Sequence, residues 1–104
     1  MHGPLIATLE SGGTKMVAAL ASGPDDILVR ERIPTTAPDE TISALVNFFT
    51  QASSQFGQPE ALAIGTFGPA DLNPDSPTYG HITTTPKPGW SHTNLLGPLQ
   101  KALD

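Results

Sequence analysis

The sequence predicts an α/β fold: a mixed sheet of about five strands carrying two helices. Three observations lead there. Apolar runs at residues 4–9, 16–21 and 61–67 have strand length and are bounded by glycine and proline. Between the second and third of these, Ile42, Leu45, Val46, Phe49, Ala52 and Phe56 recur at 3.6-residue spacing, the mark of a helix with one apolar stripe. Strands joined by a tight turn pair antiparallel, whereas a helical crossover makes the next strand parallel, so a chain with both connections builds a mixed sheet.

Leu5, Ile6, Ala7 and Leu9 form the first strand and Met16 to Leu20 the second, joined by a glycine turn. Gly23-Pro24-Asp25-Asp26 is a further turn. Residues 27–33 then alternate, with Ile27, Val29, Glu31 and Ile33 on one face and Leu28, Arg30 and Arg32 on the other, as in a half-exposed antiparallel strand. Thr36 with Asp39 three residues later and Pro38 between them resembles a capping box at the start of the helix, and Gly57 is its natural stop. Residues 61–67 suit a central strand parallel to the first. From Gly68 to Gly89 the chain is loop-like, with residues 79–84 extended enough for a short edge strand. Asn94 is placed to cap a last helix with a stripe of Leu95, Leu96, Leu99 and Leu103, its first turn weakened by Gly97 and Pro98.

One hundred and four residues make one small domain, which buries roughly 65% of its unfolded surface. Ten acidic and five basic residues give a net charge of −5, and no cluster of Lys or Arg marks a nucleic-acid or anionic-membrane footprint. There is no cysteine, which excludes disulfides and thiolate metal sites. His2, His81 and His92 lack metal-ligand spacing. No apolar run approaches the ~20 residues of a membrane span, and no secretory leader is legible, so a cytoplasmic protein is expected. Ten glycines and eleven prolines lie between the periodic segments, which indicates many tight connections.

Chemistry concentrates in Glu10-Ser-Gly-Gly-Thr-Lys15. Glycines without a Cβ, free to take positive φ, let a turn bring its N–H groups close to another molecule, and such a concavity attracts anions. Gly12 and Gly13 supply that backbone, Thr14 and Lys15 add donors, and Glu10 can hold a hydrated Mg²⁺ against phosphates. The same residues also make an ordinary Gly-Gly hairpin with polar neighbours. Taken alone, the segment leaves both readings open.

Two further segments follow, Gly65-Thr-Phe-Gly-Pro-Ala-Asp71 and Thr84-Thr-Pro-Lys-Pro-Gly-Trp90. In this order and at these separations, the three together resemble the ROK family of sugar kinases, in its fructokinase branch, over essentially the whole chain. The resemblance implies the N-terminal lobe of the ribonuclease H-like fold shared by actin and hexokinases. It also implies ATP and Mg²⁺ as cofactors, Gly12, Gly13, Thr14 and Lys15 at the nucleotide, and Glu10 at the metal. Gly68 and Pro69 would then meet the sugar, Asp71 shape its loop, Thr85 lie near a sugar hydroxyl and Trp90 wall the cleft. Each has a plainer role open to it: Asp71 can merely end a strand, Lys87 is a natural solvated loop lysine, and Trp90 can anchor a core as readily as line a carbohydrate cleft.

The implied activity is transfer of the γ-phosphate of ATP to the 6-hydroxyl of D-fructose. The resemblance puts the general base on an aspartate beyond residue 104, and Zn²⁺ only in a C-terminal lobe that is absent here. Residues 1–104 are therefore expected to be one lobe, without a catalytic residue and inactive alone, from a protein that is a homodimer at full length. A non-catalytic sugar-binding or regulatory module of the same family is the alternative. Its DNA-binding form is disfavoured, because the first strand begins too early for a preceding helix-turn-helix and the chain is acidic.

Overall fold

The computed structural model describes residues 4–23, 25–65, 70–85 and 89–103. Strands β1 (Ile6–Ser11), β2 (Lys15–Gly23) and β3 (Asp26–Pro34) precede helix α1 (Pro38–Phe56), strand β4 (Ala61–Gly65) and helix α2 (Leu96–Leu103). The sheet order is β3-β2-β1-β4. β1 pairs antiparallel with β2 and parallel with β4, and β2 pairs antiparallel with β3. The sheet is thus mixed, because β2 returns through a tight turn while β4 is reached through α1.

Alternation along the strands divides the sheet into two unlike faces. Ala7, Leu9, Met16, Ala18, Leu20 and Ile33 point to the helices and are buried with Leu45, Phe49 and Leu99. On the opposite face lie Ile6, Thr8, Val17 and Ile27, with Ala61 and Ala63 exposed beside them. Ile27 reaches that face by an irregularity in register. The alternation in sequence groups it with Val29 and Ile33, but the pairing shifts between Leu20 and Gly23, so Val29 faces Leu20 on the core side while Ile27 faces Ala21 on the other. An extra residue in one strand reverses the faces beyond it.

Helix α1 buries Thr41, Leu45, Phe48, Phe49 and Ala52, with Ile42, Val46 and Phe56 partly covered at the margin, so its apolar stripe is centred slightly to one side of the predicted one. Its start also differs from the capping box. Ala37 is the N-cap without a side-chain bond, and Pro38 fits the first turn, where no N–H is required. The stop is as expected: Gly57 has φ 116° and donates its N–H to the Ser53 carbonyl at 2.9 Å.

β4 lies at the edge of a four-stranded sheet instead of at its centre. A fifth strand over residues 79–84 does not form; the backbone there makes only isolated bridges, Ala70 with Ile82 and His81 with Asn94. The described residues between β4 and α2 are still packed, since Ile82, Trp90 and Leu95 are buried in the same core as the sheet. Asn94 acts as predicted at the last helix, its carboxamide oxygen accepting the Gly97 N–H at 2.9 Å. Among the described residues no helix is long and apolar enough to cross a membrane.

Candidate functional site

The carboxyl ends of the parallel strands β1 and β4 lie side by side, with Glu10 in register with Gly65. Ligands of open α/β sheets collect at this end, where loops leave the strands in diverging directions. Ser11, buried at the end of β1, ties the two strands by donating its hydroxyl to the Gly65 carbonyl at 2.7 Å. The turn from β1 to β2 leaves from the same point.

That turn is held by its backbone. Gly12 donates its N–H to the Lys15 carbonyl at 3.0 Å. Neither Gly12 nor Gly13 is among the glycines with positive φ, so of the two expected reasons for glycine here, positive φ does not operate and the missing Cβ does. Gly12 is required by close approach: a Cβ there would stand 2.7 Å from the Lys15 carbonyl oxygen. Gly13 meets nothing within 4 Å, so its missing side chain leaves open space on the outer surface of the turn. Gly13, Thr14 and Lys15 are exposed. Together with Glu10, Ser11, Gly12 and Val17 they line an open cleft of about 340 Å³.

Glu10 projects from the sheet face opposite the helices and also borders a second hollow of about 490 Å³ with Thr8, Arg30 and Gly65. No group of three or more metal-ligating side chains exists among the described residues. A single exposed carboxylate beside an open cleft does fit Mg²⁺, which keeps several waters and takes one or two carboxylates together with substrate phosphates.

Thr35 went unnoticed in the sequence. Buried just after β3, it donates its backbone N–H to the Thr14 carbonyl at 2.9 Å and its hydroxyl to the Gly12 carbonyl at 2.8 Å. Both ends of the turn are therefore held from below, with the exposed surface left clear. The only sequence signal was a Thr-Thr pair between a strand and a helix start, and polar residues are common there for other reasons.

Of the second segment, Gly68 and Pro69 lie outside the described residues, as does Lys87 of the third. Asp71 organises its loop from within. One carboxylate oxygen accepts the Thr78 hydroxyl at 2.6 Å and the other the Asn73 N–H at 3.0 Å, while the Asp71 N–H and carbonyl bond to His81 and Gly80. The Ser76 and Thr78 hydroxyls, then the Asn73 amide, hold its carboxyl below the usual carboxylate range. Thr85 is half-buried, and its amide and carbonyl both meet the Ser91 hydroxyl at 3.3 Å.

Trp90 is 0% exposed, so its ring offers no surface to a cleft. It anchors the core, and its indole N–H is donated to the Thr36 carbonyl at 2.8 Å. The expectation of a cleft wall is corrected to a support behind the loop, because an amphipathic ring of this size finds both an apolar bed and a polar partner inside the domain.

A family model described as "ROK family" matches residues 6–104. The chain belongs to the ROK family. Similar curated proteins are fructokinases by name: that of Lactococcus lactis subsp. cremoris is 44% identical over 97 residues, covering 93% of this chain and 32% of the relative. The fructokinase of Zymomonas mobilis subsp. mobilis is 42% identical over 95 residues, covering 90% of this chain and 32% of the relative. This ROK chain thus spans about a third of the length of the curated relatives it matches. A ROK family glucokinase from Streptomyces griseus, solved with glucose and AMPPNP, superposes with a TM-score of 0.71 at 22% identity, over 93% of this chain and 30% of that one. The actin and hexokinase-like fold is thereby shared.

Proposed function

We propose that this ROK chain is the N-terminal lobe of an ATP-dependent fructokinase, which transfers the γ-phosphate of ATP to the 6-hydroxyl of D-fructose. The observation carrying the reading is the exposed Gly12–Lys15 turn, anchored from beneath by Thr35 and facing an open cleft, in a chain whose curated relatives bear the name fructokinase. Gly12, Gly13, Thr14 and Lys15 receive the terminal phosphates through backbone N–H groups, a hydroxyl and an ammonium. Glu10 orients a hydrated Mg²⁺. That ion would supply positive charge at the phosphates during transfer.

The sugar side comprises Gly68, Pro69 and Thr85, with Asp71 keeping its loop in shape. The hydroxyl that attacks in line needs a base, and none of the described residues is assigned that role; it belongs to a second lobe, with which the full-length protein is a cytoplasmic homodimer. The 104 residues alone hold half of the cleft and do not turn over.

The test uses ¹⁵N-labelled chain titrated separately with Mg·ATP and fructose, alongside a coupled assay for fructose phosphorylation. Mg·ATP should shift the amides of residues 12–15, fructose those near Thr85, and phosphorylation should be undetectable. ATP-induced shifts confined to other residues, or a response to glucose but none to fructose, would remove the respective half of the proposal.

A further inference from the structure

The nucleotide-side turn and Trp90, which lies near the sugar-side Thr85 in sequence, are remote from each other along the chain, yet both are bonded to the same three-residue connection, residues 35–37, between β3 and α1. Each link is a hydrogen bond. The Thr85 backbone meets the Ser91 hydroxyl, and the adjoining Trp90 donates its indole N–H to the Thr36 carbonyl at 2.8 Å. Thr35 next to it donates to the Thr14 carbonyl through its amide and to the Gly12 carbonyl through its hydroxyl. The connection itself is clamped. The Thr41 hydroxyl, on a residue 1% exposed, accepts the Thr36 N–H at 2.9 Å and donates to the Pro34 carbonyl at 3.3 Å.

We propose that Thr35 is a positioning residue for phosphoryl transfer, and that the Thr35–Thr36 pair sets the register of the phosphate-side turn against the sugar-side loop. This deepens the kinase reading and rests on it. The outer residues of the turn are exposed, and its internal bond, Gly12 N–H to Lys15 carbonyl, does not by itself fix the tilt of the turn. Segments with few buried contacts open locally at low free energy. Thr35 supplies two more bonds, one to each end: its backbone N–H to Thr14, and to Gly12 a hydroxyl on a side chain whose β-branch restricts it to few rotamers. Transfer geometry tolerates little error, so a brace that holds the donor-side turn relative to the acceptor-side loop bears on rate without touching either substrate.

The experiment compares Thr35→Val, Thr35→Ser and Trp90→Phe in the 104-residue chain. It reads amide hydrogen exchange at Gly12, Mg·ATP affinity from the shifts of residues 12–15, and the melting temperature. Thr35→Val keeps the shape and removes the donor, and should speed Gly12 exchange and weaken Mg·ATP binding by about fivefold, the usual worth of one hydrogen bond. Thr35→Ser restores the donor and should recover both. Trp90→Phe should speed Gly12 exchange through Thr36. Thr35→Ser behaving like Thr35→Val would assign the effect to packing and overturn the proposal, as would unchanged Gly12 exchange in Thr35→Val. Should Thr35→Val not fold, Gly12 exchange in Trp90→Phe decides alone: a rise supports the brace and no change overturns it. Mg·ATP moving no turn resonance in the unaltered chain would defeat the kinase reading, while exchange at Gly12 would still judge Thr35.

Discussion

Replacing the two turn glycines one at a time by alanine separates the structural need for glycine from the functional one. At Gly12 the added Cβ would stand 2.7 Å from the Lys15 carbonyl oxygen, 0.7 Å inside the 3.4 Å at which ordinary contact begins. The obstructing atom is backbone and cannot rotate away. The hairpin itself must open, against the bonds Thr35 makes to Gly12 and Thr14 and at the expense of the Gly12 to Lys15 hydrogen bond. Overpacking of this kind costs about 1–3 kcal/mol, and a weakened hydrogen bond adds to it, so Gly12→Ala should lose about 2 kcal/mol. For a domain of this size that lowers the melting temperature by on the order of 10 °C. At Gly13 nothing lies within 4 Å and φ is not positive, so Gly13→Ala restricts only the unfolded chain and should gain about 0.4–1 kcal/mol. Urea unfolding followed by fluorescence suits the comparison, because the single tryptophan, Trp90, is completely buried. Equal midpoints for the two variants would refute the close-approach reasoning. If the turn receives phosphates, Gly13→Ala should also weaken Mg·ATP binding while remaining fully folded, a pairing of effects that a plain hairpin would not give.

Gly80 presents the opposite case, with φ 81° and a Cβ position that overlaps the Leu96 side chain, so Gly80→Ala combines backbone strain with a clash and should destabilise by more than about 2 kcal/mol in a thermal melt. An unaltered midpoint would contradict the packing of the 71–81 loop on α2. The Asp71 carboxyl, held low by the Ser76 and Thr78 hydroxyls and the Asn73 amide, stabilises the loop at pH values above the unfolded carboxyl's titration near ~3.9, and that contribution fades as pH falls through its lower folded value. Side-chain ¹³C titration should find the Asp71 midpoint below that of an unstructured aspartate and raised by Thr78→Val. A midpoint unmoved by Thr78→Val would mean the Thr78 hydroxyl does not hold the loop.

Much of the fold, and the turn on which the candidate site is built, were legible because they depend on local chemistry. Apolar runs of strand length, the 3.6-residue stripe and Gly57 announce their elements through periodicity and backbone preference, which operate over a few residues, and the glycine turn lies where its polar set suggested. What stayed illegible required contacts between distant residues. Ile27 changes face because β2 and β3 slip in register, and the fate of Trp90 was settled by an apolar bed and a Thr36 carbonyl 54 positions away. The anchoring of the turn by Thr35, 23 residues from Gly12, is of the same kind. Local pattern determined which segments become strand, helix and turn. Only the packed structure decided which buried hydroxyl, indole and carbonyl meet, because burial makes an unpaired polar group expensive and its partner is whatever the tertiary fold brings within reach.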